Sequence, residues 1–152
     1  MPSIDYESIY KRALKRIDDL DLASYTEEDF YDTMCEWLHV SISNPLFRKV
    51  FSEFTLDDEN SKLTFTLSSP VSNDYDAEFI TSVLAKGIII NYMPSKIDTD
   101  RNLALIIGTD KEKKISGNYS QNMERLKELE RDYSRDIARH GYYFGDYGTN
   151  NG

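Results

Sequence analysis

The stretch Asp76–Tyr92, DAEFITSVLAKGIIINY, decides how the rest of the chain has to be arranged. Ile80, Val83, Leu84, Gly87, Ile88 and Asn91 recur at the spacing of one helical face. Phe79, Ile89 and Ile90 add apolar surface on other faces, so this helix needs cover on more than one side and is expected at the centre of the fold. Asn73 or Asp74 is the expected cap, and Pro94 the expected stop. Gly87 costs a helix interior about 1 kcal/mol against alanine. Such a glycine is expected where a second helix must approach closely, which makes Gly87 the candidate for close helix packing.

Toward the N-terminus the period stays helical. Tyr6, Ile9, Tyr10, Ala13, Leu14 and Ile17 define a first amphipathic helix, with Ser3 as candidate N-cap and Asp5 and Glu7 in the first turn. Asp18–Ala23 reads as a connection. A second helix begins near Ser24 or Thr26, where Thr26 and Asp29 approximate a capping box. Phe30, Met34, Trp37 and Leu38 form its buried stripe, widened by Tyr31, Cys35 and Ile42. Asn44-Pro45 ends it, and Pro45 suits the first turn of a short helix over Leu46–Phe51. The period then changes to two. Leu63, Phe65 and Leu67 alternate with Thr64 and Thr66, a strand that needs a partner for its backbone. Glu53–Leu56 is the candidate hairpin mate, and edge addition by a neighbouring subunit is the alternative.

Toward the C-terminus, Leu103–Ile107 suggests a short helix ended by Gly108, and the polar segment Asp110–Asn118 a mobile loop. A long helix follows from about Ser120 to His140. Met123, Leu126, Leu129, Tyr133 and Ile137 form a narrow stripe, and opposite charges pair at i, i+3 (Glu124 with Lys127, Glu128 with Arg131, Asp132 with Arg135, Asp136 with Arg139). Gly141 is a C-cap candidate. The last stretch, Tyr142–Gly152, holds Tyr142, Tyr143, Phe144 and Tyr147 among glycines. It is too short for a core of its own and is expected to be extended, its aromatics serving as anchors that gain energy once docked on a partner.

The expected fold is therefore mainly α. It comprises a helical bundle of about four main helices over residues 1–140, a short strand or hairpin insertion near 53–68, and an extended tail at 141–152. The net charge of −9 argues against a general nucleic-acid binder, which needs a surplus of Lys and Arg. The charge is uneven: residues 1–60 carry 6 basic and 14 acidic side chains, residues 111–152 carry 8 and 7. No apolar run approaches the ~18 residues of a membrane span, and the acidic N-terminus lacks the apolar core of a signal peptide.

The chemistry-bearing residue types are sparse. Cys35 is the single cysteine, so no intrachain disulfide forms; it is read as a buried structural thiol in a reducing compartment. Of the two histidines, His39 reads as a core or boundary residue, and His140 as a positive charge suited to a helix's last turn. Asp57-Asp58-Glu59-Asn60 lacks the alternating ligands and central glycine of a calcium loop and reads as a solvated turn. No HExxH, CxxC, phosphate-cradling glycine loop or GxSxG occurs, so the expectation is a non-enzyme with no cofactor and no metal.

Several stretches together resemble the small neck proteins of tailed bacteriophages, the head-to-tail connector or adaptor subunits. They are Ile4-Asp5-Tyr6 with its helix, Tyr25-Thr26-Glu27-Glu28-Asp29-Phe30-Tyr31, Leu84-Ala85-Lys86-Gly87-Ile88, Asn91-Tyr92-Met93-Pro94, Asn102 with Ile107-Gly108, and Leu126-Lys127-Glu128-Leu129. The likeness covers about residues 1–140, with the segment from Ile80 to Ile137 at its heart. It implies a structural virion protein, made in the host cytoplasm and located in the head-to-tail neck. There it would form a homo-oligomeric, twelve-fold ring that links the portal to stopper or tail-completion proteins. DNA would pass through the lumen without specific binding, and no membrane is involved. Family adaptors send a terminal segment into the portal, which by analogy would place Tyr142, Tyr143, Phe144 and Tyr147 at that contact. A ring needs two complementary patches per subunit, and the acidic N-terminal and near-neutral C-terminal parts offer them. The alternatives are a stopper or tail-completion subunit of the same neck, and a small acidic regulatory module that binds another protein.

Overall fold

The computed structural model describes residues 2–16, 27–107 and 109–144. The expected connection at Asp18–Ala23, the capping residues Ser24 and Thr26, the helix-ending Gly108 and the anchor Tyr147 lie outside them. Within them the chain is mostly helical. In chain order the elements are β1 (Ser3–Asp5), α1 (Tyr6–Leu14), α2 (Glu27–Ile42), α3 (Pro45–Arg48), β2 (Phe51–Asp57), β3 (Lys62–Leu67), α4 (Asn73–Ile107) and α5 (Thr109–Phe144).

The period-two stretch becomes β3, the middle strand of a three-stranded antiparallel sheet ordered β1-β3-β2. Its Leu63, Phe65 and Leu67 face the core, as the alternation requires. The hairpin mate β2 is longer than Glu53–Leu56 at both ends and has a register shift between Phe51 and Glu53. The second partner lies within the chain: β1 pairs Ile4 with Leu63. That pairing corrects the first helix's start. Ser3 is a strand residue and Asp5 takes the cap position, extended at φ −74° and ψ 138° and making no side-chain capping bond. A three-residue strand is invisible to periodicity, but burying Ile4 against Leu63 holds Ser3–Asp5 extended.

Four further boundaries differ from expectation. The short helix ends at Arg48, and Phe51 already belongs to β2. Asn44 caps that helix by accepting a bond from the Leu46 N–H at 2.9 Å. Ser72, rather than Asn73 or Asp74, caps α4 by accepting from the Tyr75 N–H at 3.2 Å, and the buried Asp76 carboxylate accepts from the Val71 N–H at 3.1 Å. Pro94 does not stop α4, which runs on so that Leu103–Ile107 is its final part. Proline removes one helical bond and costs about 3 kcal/mol in a helix interior. Pro94 is solvent-exposed, and the buried turns that precede it, with Ile88, Ile89, Tyr92 and Met93, hold the helix. The polar segment Asp110–Asn118 is helical, the opening of the 36-residue α5. Lys and Glu are good helix formers, and extending an existing helix avoids the cost of nucleating a new one.

The core gathers where α1, α2, α4, α5 and the inner face of the sheet converge. Ile9, Met34, Leu38, Phe47, Leu63, Phe65, Ile80, Leu84 and Ile88 are all wholly buried. On α5 the expected stripe points inward at Leu129, Tyr133 and Ile137, with Met123 and Leu126 half-buried. Arg12 on α1 grips Glu78 on α4 with two bonds, at 2.5 and 3.0 Å. Lys86 on α4 pairs with Asp136 on α5 in a largely desolvated setting, so Asp136 serves the helix interface instead of the expected i, i+3 pair with Arg139. Of the expected α5 pairs, Asp132 with Arg135 closes at 2.6 Å.

At Gly87, α2 crosses α4 with almost no gap. A Cβ built there would stand 2.5 Å from Ser41 Oγ and 2.7 Å from Ser41 Cβ, with Tyr133 of α5 at 3.6 Å. Rotating Ser41 cannot relieve a clash with its own Cβ, so the helices would have to separate. Gly87→Ala is therefore expected to destabilise the fold by about 1–3 kcal/mol in urea unfolding, despite alanine's higher helix propensity. Ser41→Gly in the same chain should restore part of that loss; no recovery in the double variant would refute the contact as the cause.

Candidate functional site

Among the described residues, exposed large apolar side chains occur on α2 (Tyr31 and Val40), at Val71 before α4, and as a group around the C-terminal end of α5. Tyr142 and Tyr143, in the last turn of α5, are 71% and 70% exposed, the highest values among large hydrophobic side chains of the described residues. Beside them lie Leu46, Tyr75 and Phe144, each about two-fifths exposed. Two grooves flank this end of α5. One, of about 400 Å³, runs between α4 and α5 and is lined by Tyr75, Phe79, His140, Tyr143 and Phe144. The other, of about 520 Å³, runs between α5, α3 and the sheet and is lined by Leu46, Val50, Ile137 and Tyr142. Exposed aromatic side chains grouped beside grooves are candidates for contact with a partner.

His140 organises the end from inside. It continues the inward stripe of α5 one turn beyond Ile137 and is buried. Its ring stacks on Phe79 at 4.2 Å between centroids and 18° between planes, with Tyr75 and Phe144 beyond. Neither ring nitrogen has a hydrogen-bond partner. The expected charged histidine in a last helical turn is thus overturned: α5 continues to Phe144, and burial lowers the imidazole pKa, against a smaller opposing pull from Asp76. Its ring serves as an aromatic spacer that holds Phe79 and Phe144 apart.

The four expected anchors do not act alike. Gly141, Tyr142, Tyr143 and Phe144 belong to α5, so this part of the expected extended tail is helical, and Gly141 is not a C-cap. Tyr142 and Tyr143 project outward and meet edge to face at 5.4 Å. Phe144 instead turns back onto Tyr75 and His140, both at 5.3 Å. The inward spacing of His140 and Phe144 behind Leu129, Tyr133 and Ile137 was a readable sign that the helix continues.

The remaining chemistry-bearing residues come together elsewhere. Cys35 and His39 stand one turn apart on α2, and the β2–β3 turn brings Asp58 to them. His39 Nε2 lies 2.9 Å from Asp58 Oδ1, and the Tyr6 hydroxyl donates to the same oxygen at 2.7 Å. His39 is a boundary residue, its side chain 41% exposed. Cys35 is half-buried rather than buried. The turn at Asp57–Asn60 is solvated as expected, Asp57 accepting from the Asn60 backbone and side chain, but its Asp58 is engaged with the helices. Bonds from Tyr6 and His39 hold the Asp58 carboxyl below the usual carboxylate range. Burial and the neighbouring carboxylate push the Cys35 thiol up.

No protein-family pattern, curated protein or solved structure matches the chain.

The depressed His140 pKa has a definite sign. The unfolded chain takes up this proton near pH 6.5, while the buried ring resists it. Stability from the neutral ring is full above that pH and is lost as the pH falls through the lower, folded value. His140→Phe keeps the aromatic stack and cannot charge. Its stability relative to the unaltered chain is expected to rise as pH is lowered from 7 to 5, measured by urea midpoints at each pH. A pH-independent difference would show that His140 does not titrate in a buried setting.

Proposed function

We propose that the chain is a structural adaptor whose free energy of association resides at the aromatic end of α5, and that its setting is the head-to-tail neck of a tailed bacteriophage. In this reading α1, α2, α4 and α5 form the bundle of each subunit. Subunits close into a ring beneath the portal, and the α5 end docks on the portal while stopper or tail-completion proteins attach on the other side. The carrying observation is the pair Tyr142 and Tyr143, presented outward on the last turn of a long helix beside two apolar grooves. Rigid aromatic side chains in such a position supply large contact area at low entropic cost. The neck itself is supported by the family resemblance of residues 1–140. The acidic N-terminal part and near-neutral C-terminal part suit a heterologous contact between neighbouring copies.

One observation favours the stopper or tail-completion alternative more than the sequence did. Such subunits are richer in strand, and the described residues form three paired strands where one was evident from the pattern. Light scattering after size exclusion, with and without a portal ring, separates the readings: an adaptor joins the portal directly, a stopper only a portal already carrying its adaptor.

Because Phe144 is part of the intramolecular stack, the informative double variant is Tyr142→Ala with Tyr143→Ala. It is expected to unfold like the unaltered chain and to lose at least about 2 kcal/mol of portal affinity. Portal binding unchanged within error would reject the docking role. Deleting residues 142–152 should have the same effect on binding with the core around Leu129, Tyr133 and Ile137 still folded, although the stack on His140 loses Phe144.

A further inference from the structure

We propose that Cys35, His39 and Asp58 form a binding site for a zinc-class divalent cation. The three donors come from two elements. Cys35 and His39 are spaced i, i+4 on α2, which puts both on one face, and Asp58 enters from the β2–β3 turn. The sulfur lies 3.7 Å from Asp58 Oδ1, and His39 Nε2 lies 2.9 and 3.1 Å from the two carboxylate oxygens. All three donor atoms fall within 4.8 Å of one another. A tetrahedral zinc with ordinary bond lengths holds its donors about 3.3–3.6 Å apart. The carboxylate's separations from the imidazole, 2.9 Å, and from the sulfur, 3.7 Å, bracket that spacing.

The donor set selects the cation. Calcium and magnesium take oxygen ligands, whereas a thiolate and an imidazole favour zinc and its neighbours. Thiolate and carboxylate together carry two negative charges, matched by one divalent ion. Binding forms one bond each to sulfur, nitrogen and oxygen and releases the Cys35 thiol proton to solvent. His39 binds through an unprotonated Nε2. The exposed side of Asp58 leaves a fourth position to water.

The surroundings hold the donors in place. Tyr6 donates to the Asp58 carboxylate at 2.7 Å. Partners of this kind orient metal ligands. The turn itself is fastened to the start of α1 by the Tyr6 N–H, which donates to the Ser61 carbonyl at 2.8 Å. Ser61 sits in the left-handed region at φ 54°, alone among the described non-glycine residues. A bound cation would join α2 to the hairpin turn and, through Tyr6, to α1.

The chain has a single cysteine, which makes the test specific. The reduced, chelator-stripped full chain is titrated with Co2+. The expected result is a near-ultraviolet thiolate-to-cobalt charge-transfer band that saturates at one ion per chain and is displaced by Zn2+. Zn2+ should also raise the melting temperature. Cys35→Ser should abolish the band, and Asp58→Asn and His39→Gln should each weaken binding at least about tenfold, while Asp57→Asn binds normally. If Cys35→Ser misfolds by circular dichroism, the two other ligand variants decide. No band at saturating Co2+, one ion per two chains, or ligand variants that titrate like the unaltered chain would overturn the site.

Discussion

Helix α2 lies across α4 at a distance set by the missing side chain of Gly87, and the other contacts of the core depend on that approach. Ser41 fills the space a Cβ would need. Its hydroxyl donates to the Trp37 carbonyl at 2.8 Å and accepts from Asn91 Nδ2 at 3.1 Å, while the same amide also donates to the Gly87 carbonyl at 2.8 Å. The polar groups brought together by the crossing are thus paired, and burial carries little desolvation penalty. Tyr133 closes the junction from α5. Burial alone pushes its phenol up to about 12. With α2 seated, Trp37 meets Tyr92 edge to face at 6.0 Å, and α3 turns Phe47 onto Phe51 and Tyr133.

The hairpin transmits this arrangement to both chemically distinct regions. Its open end, at Val50 and Ser68, borders the groove beside Tyr142. Its turn carries Asp58 to Cys35 and His39. One end of the sheet therefore helps to frame the surface through which the chain is proposed to meet a partner, and the other frames a polar cluster tied to two helices. The burial that neutralises His140 and the bonds that keep Asp58 ionised act in the same direction with pH: acid removes stability at both.

Residues that report their surroundings through spacing were readable in the chain itself. The central helix around Leu84, the alternation Leu63–Phe65–Leu67, the strand-to-turn change at Asp57 and the inward stripe of α5 follow from apolar periodicity, which is local and repeats often enough to be counted. Exposure of Tyr142 and Tyr143 was half-readable: their composition marked them as anchors, but grouping Phe144 with them missed its ring contacts with Tyr75 and His140. The three-residue β1 was not readable, since pairing with β3, some sixty positions away, creates it. Nor was the continuation of α4 past Pro94, where solvent exposure on one side and packing before it outweigh a local preference.

The amino-acid order alone determined a mainly helical chain with a hairpin, a central helix notched at Gly87 and an aromatic C-terminal region, because each is a property of a short window. Only the tertiary structure decided that Cys35, His39 and Asp58 share one cluster, that His140 is an uncharged ring inside an aromatic stack, and which tyrosines face outward. Those facts depend on which distant segments come into contact, and contact between α2 and a turn twenty residues later is set by packing of the whole core, not by any pattern within either segment.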